Sequence, residues 1–308
     1  MNKLFIMMMM AAAFTACGHR ASDSSTADAD SLGIDSVAEA QSLVIEQIEQ
    51  EREDSMVIVG VSAEWPVSGP EALVNNIRQY LCDELATNPM GEGKPKVKMT
   101  NDGKAAVEAT FKSQCRELAS QWKEARNEGF DGEMPYEFKI HSQKFEETDT
   151  YITYVTNCEG FMGGAHGYFI STGQTFRKSD GKRIGYETEY NEKTEKFKTK
   201  KQTLFADTKS PKFYALLKEG VRSYFKDNDM KISSDEEMKD FLQGVDDVDH
   251  LPLPSAPPFF TKKGLCFTYQ QYEIAPYAAG IISFNIDYDQ VHPFLTKEAL
   301  ECVPQMKN

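Results

Sequence analysis

The sequence predicts an α+β fold with helices packed on mixed or antiparallel sheets. Three observations carry that prediction. Period-two alternation stands at 57–66 and again between 136 and 177, helical periodicity stands at 71–86, 103–128 and 211–227, and the order strand, helix, helix, strands is that of an α+β chain. Beyond a polar N-terminal stretch, residues 55–308 are enough for one large or two modest domains.

The first element, "SMVIVGVSAEWP", alternates around Val57, Val59 and Val61 and ends at Pro66, so it reads as a strand. "GPEALVNNIRQYLCDELAT" then sets Leu73, Val74, Ile77, Tyr80, Leu81 and Leu85 on one helical stripe. A loop rich in Gly, Pro and Lys, "NPMGEGKPK", separates it from the longest helix, 103–128, whose apolar face is Val107, Phe111, Cys115, Leu118 and Trp122. Three strands follow at 136–146, 150–159 and 168–177. The glycine-rich stretch Gly163-Gly164-Ala165-His166-Gly167 joins the second and third of them. A phosphate-cradling loop should open a helix instead, with a Lys in reach, so these glycines predict a bulge or a left-handed turn. A catalytic His166 would need an oriented nucleophile such as Cys158 or Ser171 and a carboxylate, and the sequence shows no such arrangement, so Gly163, Gly164, His166 and Gly167 read as a structural turn or a binding loop. The third strand ends in the turn Ser179-Asp180-Gly181-Lys182.

In the second half, "DTKSPKFYALLKEGVRSYFKD" is an amphipathic helix with Phe213, Leu216, Leu217, Val221, Tyr224 and Phe225 inward. "SSDEEMKDFLQ" opens with a cap at Ser233 or Ser234 and acids suited to a positive helix end. "LPLPSAPP" is extended, and Lys262-Lys263-Gly264 turns a hairpin between Phe259-Phe260 and the strand 265–269.

The chain opens "MNKLFIMMMMAAAFTAC", with Lys3 before an apolar run from Leu4 to Phe14, then Thr15-Ala16 and Cys17. That is an export-signal pattern. The run is shorter than the roughly 20 residues a spanning helix needs. Small residues before a cysteine resemble a bacterial lipobox, which implies cleavage before Cys17 and lipid on that residue. The alternative is an ordinary signal followed by a stray cysteine. Residues 18–54 are polar, acidic and free of aromatics, the composition of a flexible tether, although "VAEAQSLVIEQIEQERE" carries Leu43, Val44 and Ile48 at helical spacing.

A net charge of −14 argues against nucleic acid or anionic lipid as partner and favours a cationic one. Setting Cys17 aside, five cysteines at wide spacings predict buried free thiols, and no Cys/His spacing predicts a metal site. No cofactor is expected. Asp246, Asp247 and Asp249 lack the glycine and terminal glutamate of a calcium-binding loop. Carboxylate pairs for glycoside hydrolysis are not legible in a sequence this rich in acids.

Two stretches carry a family resemblance. "NCEGFMGGAHGYFISTGQTFRKSDGKRI" and "FFTKKGLCFTYQQYEIAPYAAGIISFNIDYDQVHPFL" together resemble the extracytoplasmic domain shared by the anti-sigma factor RsiV and the N-terminal part of the peptidoglycan deacetylase PdaC. The resemblance implies a two-lobed architecture, with a PdaC-like lobe at 55–185 and an RsiV-like lobe at 186–308. The second lobe is similar to the small helix-and-sheet unit of the heat-shock cognate ATPase, without implying nucleotide binding. The resemblance also implies binding at the envelope, and RsiV recognises lysozyme. The departures are the absence of a cytosolic sigma-binding segment and of PdaC's metal-dependent catalytic domain. "GYETEYNEKTEKFKTKKQ" reads as an inserted, charged hairpin or loop.

The loop "QQYEIAPYAAG" is the leading binding candidate, because Tyr272, Glu273, Pro276 and Tyr277 lie between two strands and tyrosine supplies contact area at low entropic cost. Glu273 would face a cationic group on a partner. The competing reading makes the loop a buried connection, with Tyr277 plugging the core and Gly280 permitting a tight turn. The expectation is a non-catalytic envelope protein, lipid-anchored at Cys17, that binds a lysozyme-like muramidase as sensor or inhibitor. The alternatives are an enzyme or a glycan-binding module acting on peptidoglycan or cell-surface polysaccharide.

Overall fold

The computed structural model describes residues 42–87, 99–130, 132, 134–191 and 196–304. The leader, Cys17 and most of the expected tether lie outside them. The chain divides at residue 40, and all described residues belong to the second unit, 40–308.

The first strand is one the sequence reading missed. β1 (Val44–Glu53) pairs antiparallel with β2 (Val57–Ser68), so the end of the expected tether belongs to the fold and its helical spacing does not make a helix. Local propensity lost to tertiary context. A continuous ladder to β2 satisfies the backbone, and Ile48 is buried between sheet and helix. The helices α1 (Glu71–Leu85) and α2 (Gly103–Asn127) follow where periodicity placed them. They form the crossover that lets β3 (Tyr136–Glu147) return parallel to β2. β4 (Tyr151–Phe161), β5 (Tyr168–Arg177) and the two-residue β6 (Arg183–Ile184) then complete a six-stranded sheet in sequence order.

Alternation splits this sheet into two unlike faces. Val57, Val59, Val61, Ala63 and Trp65 join Phe138, Ile140, Ile152 and Tyr154 under α1 and α2, forming the first core. On the opposite face the register sets Glu49 beside Ser62 and Ser62 beside His141, while Lys139 stands beside Glu159 and Glu159 beside Phe169.

The inserted stretch is a hairpin, β7 (Glu187–Asn191) and β8 (Lys196–Lys200). α3 (Pro211–Asp227) and α4 (Asp235–Phe241) follow, and Ser234 with Glu237 makes a reciprocal capping box at the start of α4. β9 (Phe259–Thr261), β10 (Gly264–Tyr269) and β11 (Ile282–Ile286) form a second, antiparallel sheet in the order β11-β10-β9. Phe213, Leu217, Val221 and Phe225 of α3 pack with Phe267 and Phe284 in the second core, and Leu216 and Tyr224 lie at its margin.

The second lobe docks on the outer face of the large sheet, over β4 and β5. Thr153 Oγ1 donates to the Phe260 carbonyl at 2.8 Å, and the Phe260 N–H donates to Thr175 Oγ1 at 2.9 Å. Gly173 allows this approach, because a Cβ there would stand 2.1 Å from the Phe259 ring. The rest of the outer face, toward β1, is not covered by any of the described residues. All five described cysteines are buried and unpaired, and Trp65 is core.

Candidate functional site

The turn after β4 and the loop after β10 are far apart in sequence and meet in space. Gly163 and Gly164 take left-handed backbone angles, φ 86° and 89°, as a glycine pair at a strand junction predicts. They swing His166 out at the tip. The His166 ring stacks on Tyr277 with centroids 3.8 Å apart and planes 17° from parallel, and its Nε2 is 3.0 Å from the Tyr272 hydroxyl. His166 Nδ1 lies 2.9 Å from the Gly167 carbonyl, which can only accept, so Nδ1 carries a proton and donates there.

The 270–280 loop is held by its own side chains. Gln270 behaves as an extra rung on the free edge of β5: its Oε1 accepts from the Ser171 N–H at 3.0 Å and its Nε2 donates to the Ser171 carbonyl at 2.8 Å. Gln271 Oε1 accepts from the Phe169 N–H at 3.1 Å. Tyr272 follows at φ 64°, a left-handed conformation that is unusual for a bulky residue, and its side chain is 56% exposed. Deeper in the loop, Ile274, Ala275 and Ala279 are buried. The Tyr224 hydroxyl of α3 donates to the Ala279 carbonyl at 2.7 Å, and Gly280 turns the chain at φ 70°.

Two expectations for this loop need correcting. Glu273 does not face a partner: it is turned inward and accepts backbone N–H bonds from Gln270, at 2.7 Å, and from Ser255. Burial pushes its carboxyl above the ordinary range, with those N–H bonds opposing. Tyr277 does not plug the core either. It is half-buried against His166, and the plug is Ile274 with its alanine neighbours. Pro276 opens the short turn Tyr277–Ala279.

The result is a crown of rings, rigidly seated, at one end of the large sheet. Phe169, 37% exposed, stands at the start of β5 beside it, and Phe130, 47% exposed, would lie 3.6 Å from a Cβ placed on Gly163. The arrangement is not that of a nucleophilic site. Cys158 lies on the inner face, where burial pushes its thiol up to about 12, and Ser171 Oγ donates to Asn157 at 2.7 Å. Among the described residues no three His, Cys, Asp or Glu side chains gather as a metal site. Asp247 instead caps a short turn and bonds His250, and Asp249 pairs with Lys218. The sequence offered both halves of the crown separately. Their meeting depends on how Gln270 and Gln271, just after β10, bond the edge of β5.

Residues 182–289 match the family described as "Protein of unknown function (DUF3298)", a span that includes the Tyr272 loop and excludes the His166 turn. Two solved structures are similar over most of the chain. One, a DUF3298-family member from Bacteroides fragilis, is 17% identical, covers 85% of this chain and 97% of its own, and superposes with a TM-score of 0.59. The other, a DUF3298-family protein from Pseudomonas aeruginosa, is 12% identical, covers 84% of this chain and 97% of its own, with a TM-score of 0.54. At those identities the likeness is one of fold, and it agrees with the α+β architecture described above. Comparison with curated proteins finds no match.

Proposed function

We propose that this chain is a lipid-anchored binding protein of the bacterial cell envelope, whose folded part holds a partner and performs no chemistry. The observation that carries the reading is Tyr272: a large aromatic side chain, exposed, in a left-handed conformation enforced by hydrogen bonds on both sides. Strain kept at an exposed residue points to a role outside the fold, and a rigid tyrosine loses little entropy on contact. The leader and Cys17 support the anchor. Among the described residues no helix is long and apolar enough to cross a membrane.

For the partner, the RsiV-like resemblance and the net charge of −14 favour a lysozyme-like muramidase, cationic in many cases. The test is calorimetry with a c-type lysozyme, using a chain that begins before Ser42. A start at Ser55 would delete β1. Saturable heat at physiological salt, weakened at least tenfold by Tyr272→Ala or Tyr277→Ala with unchanged unfolding, supports the reading. No heat at physiological or low salt removes it. A second reading, glycan binding, draws on the same exposure of Tyr272, and saturable heat with peptidoglycan fragments alone would favour it. Anchoring is tested by incorporation of labelled fatty acid, which Cys17→Ser should abolish.

A further inference from the structure

We propose that the uncovered outer face of the large sheet is a second binding site, for a saccharide carrying a free amino group. It is a groove of about 330 Å³ floored by β2, β3 and β4, with β1 along one side and Phe169 of β5 at the other. That is the small end of the range for ligand pockets, room for about one or two sugar rings.

The groove's chemistry selects the ligand. His141 Nδ1 is 2.6 Å from Ser62 Oγ, and Asn157 Oδ1 accepts from Ser171, which leaves His141 Nε2 and the Asn157 amide N–H groups for a guest. Glu49, Glu51 and Glu159 are exposed and form no ion pair within 4 Å among the described residues. Lys139, which also lines the groove, pairs with Glu137 and feels the charge of Glu159, so the acids still outnumber the one cation. Carboxylates accept from vicinal hydroxyls and attract an ammonium, and they repel phosphates, uronates and nucleic acid. Phe169 offers a ring for the apolar face of a sugar. A peptide fits worse, because every backbone group of the floor is spent in the β2-β3-β4 ladders and the guest's own amides would go unpaired. A saccharide needs only the side chains that are present. The groove adjoins the Tyr272 crown at Phe169, whose N–H bonds Gln271, but its acids, His141 and Asn157 belong to the sheet face, so it stands or falls independently of the partner proposed there.

The test titrates the purified chain with a β-1,4-linked glucosamine tetramer, its N-acetylated counterpart and tetralysine. The amino tetramer is expected to bind saturably. Its affinity should fall at least tenfold in Phe169→Ala, in Asn157→Ala, and in the triple variant Glu49→Gln, Glu51→Gln, Glu159→Gln, while Tyr272→Ala leaves it unchanged. Every substituted side chain is exposed or half-buried, and an unchanged urea midpoint checks the fold. Equal affinity for the N-acetylated tetramer overturns the role of the amine. Equal affinity for tetralysine with the same losses reduces the groove to a field of charge, and absence of saturable binding by the amino tetramer ends the proposal.

Discussion

Replacing Tyr272 by alanine and, separately, by glycine measures whether its backbone is held in the left-handed region. In ordinary structure the glycine variant should be the less stable, by about 0.5–1 kcal/mol, because glycine loses more freedom on folding. At φ 64° the order should invert. A left-handed L-residue costs about 1–2 kcal/mol, which alanine retains and glycine escapes, so glycine should come out ahead by about 0.5–1 kcal/mol after its entropic cost. Both variants lose the hydroxyl bonded to His166, so that loss cancels in the comparison. In a folded unit of this size the difference is about 2 °C in Tm, measurable by calorimetry and by urea unfolding. If alanine proves as stable as glycine, the strain is absent and the argument that it marks a functional residue fails.

Further outcomes follow from other parts of the fold. Gly173→Ala should destabilise by about 1–3 kcal/mol in urea titration, because its Cβ would strike the Phe259 ring and lift the second sheet off β5. Phe213→Ala, fully buried in the second core, should cost about 3–5 kcal/mol, and a cost below 1 would mean that α3 does not pack as described. Tyr154→Phe should stabilise by about 1 kcal/mol, since the buried Tyr154 hydroxyl has no described partner. The Glu237 carboxyl is drawn from its ordinary 4.5 to about 2 by N–H and hydroxyl donors of Ser233 and the Ser234 N–H. Its contribution is therefore complete above pH 4.5 and lost as pH falls toward 2. Protection against hydrogen exchange at the start of α4, relative to the intrinsic rate at each pH, should fall as pH drops across that window, and Glu237→Ala should flatten the response.

By itself the sequence determined the elements whose signal is local. The alternation of 57–66 and 136–177, the stripes of α1, α2 and α3 and the glycine turn at 163–164 all lie where residue spacing placed them, because one apolar face or one special φ decides each, and of the two serines offered as the α4 cap the structure uses Ser234. It also singled out both pieces of the crown. Tertiary structure decided what depends on a partner distant in the chain. β1 is a strand because β2 supplies its ladder, against a helical spacing of its own. Glu273 faces inward because Ser255 and Gln270 bring N–H groups to it. His166 meets Tyr272 and Tyr277 only because Gln270 and Gln271 fasten one lobe's loop to the other lobe's strand edge. Likewise, Glu49, His141, Asn157 and Phe169 share one groove only through the register of strands up to 120 residues apart. Hydrogen bonds between segments that distant leave no periodicity in a sequence, so the site had to be read from the fold.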